Sequence, residues 1–138
     1  MRLLLVTVLF LTALAGPVRA QSDGDRTAIR DVITSQIRAF RQDDAAGAYF
    51  YAAPAIQEMF PTPEVFIRMV RQGYRTVYRP RSYVFAELGW EGGRLIQPVR
   101  MIGPEGRSVI AHYIMEQQPG GEWKIAGVFL VKGPDETA

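Results

Sequence analysis

The chain has 138 residues, with 16 basic side chains, 14 acidic side chains and one histidine, so its formal net charge is +2. Cysteine does not occur, which excludes a disulfide-stapled scaffold, a thiol nucleophile and a cysteine-based zinc site. A chain of this length forms one domain rather than several.

Residues 1–20 follow the three-part pattern of a secretory signal peptide. Arg2 supplies a positive start, residues 3–15 are apolar or small without interruption, and a Gly-Pro pair breaks the run before Ala20. The apolar run is too short to span roughly 30 Å of hydrocarbon comfortably. We therefore predict cleavage after Ala20 and a single α+β domain over residues 21–138. The protein is then periplasmic or secreted, with no membrane anchor after cleavage.

Removal of the signal peptide changes the charge balance. Arg2 and Arg19 leave with it, whereas all fourteen acidic residues remain, so residues 21–138 are formally neutral. Nucleic-acid binding requires a basic patch that follows the phosphates. The positive charge of the precursor belongs to the targeting segment, and we expect no nucleic acid among the partners.

Helical patterns fill the first half of the predicted domain. Residues 29–40 carry apolar side chains at the spacing of one helix face. Shorter helical stretches follow over 45–50 and 55–60. Residues 62–64, Thr-Pro-Glu, are typical of a helix start, and Gly73 is a natural end for the helix that they begin.

The second half has the composition of β-strands. From Ser82 onward, aromatic and β-branched runs are separated by turn sequences at 91–93, 103–106 and 119–121. We predict four strands joined as an antiparallel meander. Helices followed by strands give an α+β fold, in which the helices pack on one face of the sheet.

The last two predicted strands are apolar at both odd and even positions, over 109–115 and 125–131. A sheet that is wet on one side alternates between apolar and polar residues. Burial on both faces requires either strong curvature of the sheet around a pocket or a partner subunit on its outer face. The pattern therefore predicts a curved sheet or a homodimer formed through the sheet.

Two stretches are moderately specific as motifs: Tyr78–Ser82, and the strand Gly121–Gly127 with its Trp123. Weaker similarity extends over 31–44, 53–56, 60–64, 69–71 and 116–118. Together they resemble the nuclear-transport-factor-2-like superfamily, also called SnoaL-like or ketosteroid-isomerase-like. Within or close to it, the sequence is similar to a family of exported bacterial proteins, the domain of unknown function numbered 4864. The resemblance implies a cone-shaped sheet wrapped by helices and an exported protein, and it implies no activity.

His112 is the single histidine and the main candidate for acid–base chemistry. With an ordinary pKa of roughly 6.5, it could carry a proton in a cavity, paired across the sheet with Glu87 or Tyr83. The alternative is a buried histidine satisfied by one hydrogen bond. Ketosteroid isomerase uses aspartates in its pocket, and the predicted strands contain none, which argues against isomerase chemistry. One histidine without cysteine, and no glycine-rich phosphate loop, lead us to expect no metal and no cofactor.

Arg79 and Arg81 are the candidate ligand-binding residues, together with Tyr78. The two arginines flank Pro80 at the predicted junction between helices and sheet, where a pocket mouth lies in a fold of this kind. A guanidinium group matches the oxygens of a carboxylate, phosphate or sulfate. The alternative is structural, because an arginine at this place can bond free carbonyls at the end of the preceding helix.

These observations support three hypotheses for function. The first is an exported domain that binds a small molecule in a cavity, or a protein partner through its sheet, without catalysis. The second is a small lyase, isomerase or hydrolase that uses His112. The third is a homodimer with a structural role in the cell envelope. Seven aromatic residues between Tyr49 and Tyr78 suit a cavity lining as well as a core.

Overall fold

The structure is a computed structural model that describes residues 21–134, so the predicted signal peptide lies outside the described residues. Five helices precede five strands, which confirms the α+β class. The helices are α1 (Asp23–Arg41), α2 (Ala45–Phe50), α3 (Pro54–Met59), α4 (Pro63–Gly73) and α5 (Arg75–Tyr78). The strands are β1 (Ser82–Phe85), β2 (Gly89–Glu91), β3 (Arg94–Ile102), β4 (Ser108–Gln117) and β5 (Trp123–Lys132). Within residues 21–134, no helix combines the length and the apolar character needed to cross a membrane.

The helix boundaries follow from local capping chemistry. Ser22 Oγ accepts a hydrogen bond from the backbone N–H of Asp25 (3.1 Å) and so caps α1. Thr62 does the same for α4, with Pro63 in the first turn, and α4 ends at Gly73 as predicted. The buried face of α1 consists of Ile29, Ile33, Ile37 and Phe40, each at most 1% exposed. Burial of such side chains contributes about 1.5–3 kcal/mol each, so α1 is the main helical support of the sheet.

The sheet is antiparallel, with strand order β1-β3-β4-β5, and β2 also pairs with β3. The expected count of four strands is wrong, because the first predicted strand is divided into β1 and β2, which pair with different parts of β3. A polar side chain of the neighbouring strand lies at this division. Gln97 donates a hydrogen bond from Nε2 to the carbonyl oxygen of Ala86 (2.8 Å), where the regular ladder is interrupted.

The two faces of the sheet meet different surroundings. On the face toward the helices, called the inner face, β3 and β4 place Val99, Met101, Ala111 and Tyr113, all at most 1% exposed. On the opposite, outer face, Val84, Phe129 and Val131 are 66%, 42% and 44% exposed. The core of the domain therefore lies between α1 and the inner face.

Candidate functional site

An apolar cavity of about 210 Å³ lies between the short helices and β5. Its wall combines residues of α3 and α4 with Ile125, Gly127 and Val128 of β5. Met59, at its rim, is 68% exposed, which marks the side on which the cavity meets solvent. The cavity exceeds the roughly 150 Å³ of a cavity that binds benzene.

Helix α3 forms one wall, although none of its own residues is fully buried. It is fastened to α2 by two side chains. The Tyr49 hydroxyl donates to the Phe60 carbonyl oxygen (2.6 Å) and lies 3.1 Å from the Gln57 carbonyl oxygen, which shares its proton. Gln57 Nε2 donates to the Tyr49 carbonyl (3.1 Å). These bonds hold Ile56 and Phe60 against the cavity.

Helix α4 and α1 form the floor. Phe66, Met69 and Val70 follow helical spacing on one face of α4, and all three contact the cavity. Gln36 of α1 also lines it, and its Nε2 donates to the Ala48 carbonyl (3.2 Å). Gln36 and Tyr74 are the lining residues with polar side-chain groups, and the lining contains no charged side chain. The cavity therefore suits a neutral, largely apolar group.

Strand β5 closes the cavity where its pairing is irregular. A β-bulge shifts the register between Ile114 and Met115 of β4. At the same level, Ala53 N–H donates to the Ile125 carbonyl (2.8 Å) and Ile125 N–H donates to the Tyr51 carbonyl (2.8 Å). The connection between α2 and α3 is thus hydrogen-bonded to the edge of β5, which positions the α3 wall.

His112 lies on the outer face of the sheet, away from this cavity. Its ring is stacked on Phe129 with a centroid distance of 4.6 Å and an interplanar angle of 1°, and its cross-strand neighbour in β3 is Pro98. Nδ1 is buried and has no hydrogen-bond partner among the described residues. The surroundings of the imidazole are apolar rather than acidic.

The structure does not bring the three catalytic candidates together. Tyr83 pairs with Met101 on the inner face, whereas His112 pairs with Pro98 on the outer face. Glu87 is exposed in the segment between β1 and β2, and no hydrogen bond or ion pair joins it to His112 within residues 21–134. The sheet therefore separates the phenol from the imidazole.

Two of the predicted ligand-binding residues are engaged within the fold. Arg79 donates to the Phe40 carbonyl at the end of α1 (2.7 Å) and to Asp43 Oδ1 (2.8 Å). The Tyr78 hydroxyl donates to the same carboxylate and accepts from Arg71 Nε (3.0 Å). These bonds tie the end of α1 to α4 and α5, so the carbonyl that Arg79 bonds belongs to α1 and not to the preceding helix.

Arg81, the third predicted ligand residue, stands apart from that cluster. Its side chain is exposed, and its backbone N–H donates to the Ile102 carbonyl (2.8 Å). Neither Arg81 nor Arg79 lines the cavity. Within residues 21–134, no three His, Asp or Glu side chains group as a metal site.

A second polar feature is buried under α1. Gln97 and Tyr113 lie directly opposite each other on the inner face, both with no exposed area. Gln97 Oε1 and the Tyr113 hydroxyl have no hydrogen-bond partner in the described part of the chain. Burial, with a smaller contribution from Tyr83, raises the pKa of Tyr113 far above its ordinary value of 10.0. The phenol is therefore neutral throughout the physiological pH range.

Comparison with known families matches residues 22–138 to the family described as Domain of unknown function (DUF4864). The chain belongs to this family. No curated protein and no solved structure matches the chain. The DUF4864 match covers all of the elements that build the cavity and both faces of the sheet, so the cavity lies within the family domain.

Sequence reasoning found part of this cavity. Phe60, Phe66 and Tyr74 belong to the aromatic set that the sequence assigned to a lining or a core, and all three line the cavity. The contributions of Met69 and Val128 were missed. Their signal was present only as apolar character at helix and strand positions, which is equally typical of a closed core.

Proposed function

We propose that the domain binds an apolar molecule, or the apolar part of a larger one, in the cavity between α3, α4 and β5, without catalysis. The observation that carries this proposal is an uncharged cavity of about 210 Å³ that meets solvent at Met59. Ligand sites are concave and mostly apolar, with a few polar groups that orient the ligand. Gln36 and Tyr74 are placed to provide such groups.

The separation of His112 from Tyr83 favours binding over acid–base chemistry. A general base must come within hydrogen-bond reach of the proton that it removes. His112 faces outward and stacks on Phe129. A reaction centred on His112 would have to take place outside the cavity, on the open face of the sheet.

Toluene is a suitable probe, because it is slightly larger than benzene and carries no charge. We expect it to bind residues 21–138 with a Kd on the order of 0.1 mM, equivalent to about −5.5 kcal/mol. In titrations followed by NMR, the backbone amide signals of Gly127, Val128 and Met69 should shift together.

Filling the cavity provides the control. Ile56→Trp places a ring in the wall and should weaken toluene binding at least tenfold, and Met69→Trp should do the same from α4. Val65→Trp adds the same side chain to an exposed position of α4 outside the lining and should leave binding unchanged. Equal binding by the filled variants, or no binding by the parent protein, would show that the cavity is not a ligand site.

We also propose that the protein is exported and that its fold is of the nuclear-transport-factor-2-like type. The signal-peptide pattern of residues 1–20 supports export, and the DUF4864 match begins two residues after the predicted cleavage site. Helices before an antiparallel sheet, with a cavity between them, support the fold type. Amino-terminal sequencing of the protein from a periplasmic extract should find Gln21 first. An amino terminus at Met1 would contradict cleavage after Ala20, and absence of the protein from the extract would contradict a periplasmic location.

A second candidate function is self-association through the outer face of the sheet. It is favoured by the exposure of Val84, Phe129 and Val131 on a face that no described helix covers. A two-fold homodimer needs one self-complementary patch. Phe129 and Val131 of β5 provide an apolar one, which Arg100 of β3 separates from Val84 of β1. Sedimentation of residues 21–138 should give a dimer that Val131→Asp dissociates, whereas a monomer at all concentrations would exclude this mode.

A further inference from the structure

The free edge of β5 lies beside the cavity. Gly133 N–H donates to the Ser108 carbonyl (3.0 Å), so this position is a hydrogen-bonded one in the ladder between β4 and β5. Hydrogen-bonded and non-bonded positions alternate along an antiparallel pair. Val131 is the hydrogen-bonded position before Gly133, so Leu130 and Val128 occupy non-bonded positions. Their backbone N–H and C=O groups therefore point away from β4.

The chain itself already uses this edge at one point. On the other side of the bulge, Ile125 directs both its N–H and its C=O outward, to residues 51–53, in a parallel bridge. From Gly127 to Lys132, no strand within residues 21–134 pairs with that side of β5. The edge is thus competent to bind an extended segment and is open for about six residues.

The open part of the edge is apolar and exposed. Phe129, Leu130 and Val131 are 42%, 36% and 44% exposed, and residues 127–131 include no charged side chain. Proteins usually protect such edges with charges, prolines, bulges or covering elements, because an unprotected edge pairs with another chain. An exposed edge of this kind indicates a partner that pairs with it.

Cavity and edge share a residue. Val128 lines the cavity with its side chain and presents its backbone groups at the edge. In an added strand, alternate side chains point to the same face of the sheet. A side chain of the added strand that faces inward would therefore stand at the cavity, between β5 and the α3–α4 wall.

We propose that the occupant of the cavity is an extended segment of another protein, which adds as a strand to the Gly127–Lys132 edge and inserts one apolar side chain. This inference rests on the proposed function, since it names the class of ligand. Backbone hydrogen bonds to an edge give affinity, and a pocket for one side chain gives specificity. A small apolar molecule alone would fill the cavity without using the outward-facing backbone groups of Leu130.

Fluorescein-labelled heptapeptides with blocked ends provide the probe. The four peptides consist of threonine and differ only at the central residue, which is leucine, phenylalanine, methionine or, in the control, threonine. Their binding to residues 21–138 is followed by fluorescence polarisation. We expect at least one apolar peptide to bind ten times more tightly than the all-threonine peptide. The best peptide, N-methylated at every backbone amide, should lose at least tenfold in affinity, because neither of its edges can then donate to β5.

Leu130 offers a matched pair of protein variants. Leu130→Pro removes an N–H that does not bond to β4, so the sheet is retained and only the edge donor is lost. It should weaken peptide binding at least tenfold, whereas Leu130→Ala, which keeps the N–H, should stay within about threefold. If Leu130→Pro fails to fold, the N-methylated peptide tests the same hydrogen bonds on the unaltered protein.

Three outcomes would overturn the inference. The first is that none of the peptides binds while toluene still does, which would refute the peptide and leave the cavity a small-molecule site. The second is equal binding of the N-methylated peptide. The third is a dimer of the protein that Leu130→Pro dissociates, which would make a second copy the occupant of the edge. Loss of both toluene and peptide binding would refute the proposed function itself.

Discussion

The inner and outer faces of the sheet both carry apolar side chains, but these side chains differ in how far they are exposed to solvent. Val99 and Tyr113 on the inner face have no exposed area and belong to the same core cluster as the isoleucines of α1. Val131 and Phe129 on the outer face keep 44% and 42% of their area exposed. Apolar residues at both odd and even positions of a strand therefore do not tell which of its two faces is covered in the folded chain.

The difference separates two kinds of contribution to the protein. Inner-face residues contribute to folding, because their burial removes apolar area from water in the monomer. Outer-face residues contribute to folding only in part, and the exposed remainder is available for contact with a partner. Contiguous apolar patches of this kind on soluble proteins mark interaction sites.

Adjacent residues of β4 give the strongest test of this difference. Tyr113→Ala removes a fully buried aromatic side chain and should lower the free energy of unfolding by about 4 kcal/mol. His112→Ala, one position earlier and on the opposite face, should cost less than about 1 kcal/mol. Urea unfolding followed by circular dichroism measures both. If His112→Ala lowers the free energy of unfolding by clearly more than about 1 kcal/mol, the outer face is buried in solution.

A valine pair tests the same difference without a change of chemistry. Val99→Ala should lower the free energy of unfolding by about 2 kcal/mol, because it removes about two buried methylene equivalents and leaves a small cavity. Val131→Ala should stay within about 0.5 kcal/mol in dilute protein. If the loss for Val131→Ala grows with protein concentration, the outer face is a dimer interface and the comparison holds only for the monomer.

Local patterns were sufficient for much of the fold. The stripe from Ile29 to Phe40, the Thr62 cap and the Gly73 end all depend on neighbours within one or two turns, so the sequence predicts them well. The division into β1 and β2 was not predictable in this way. It lies where Gln97 of β3 bonds Ala86, a contact between residues eleven positions apart that forms only when β3 pairs with its neighbour.

The candidate site was less accessible to sequence reasoning. Arg79 and Tyr78 look like ligand residues because charge and aromatic character occur together at a junction. Their contacts with Asp43 arise across more than thirty residues of chain and cannot be read from spacing. His112 and Tyr83 face opposite sides because of strand register, which a one-residue shift would reverse.

The smallest predicted effect concerns the buried phenol of the inner face at high pH. The pKa of Tyr113 is raised in the folded protein, mainly by burial, and is near its ordinary value of 10.0 in the unfolded chain. The neutral phenol therefore leaves stability intact below about pH 10. Above that pH, the unfolded chain loses the proton first, so stability falls by up to about 1.4 kcal/mol per pH unit.

Tyr113→Phe should remove this dependence. Between pH 10 and pH 11, we expect the parent protein to lose about 1 kcal/mol more than the variant. At pH 7 the variant should be as stable as the parent or more so, because the hydroxyl has no hydrogen-bond partner in the described part of the chain. Urea unfolding at pH 7, 10 and 11 measures both effects, with the partly exposed Tyr51→Phe as control. If parent and Tyr113→Phe lose the same free energy of unfolding, the phenol of Tyr113 loses its proton as readily in the folded protein as in the unfolded chain. The two faces would then differ less in solution than their exposed areas indicate.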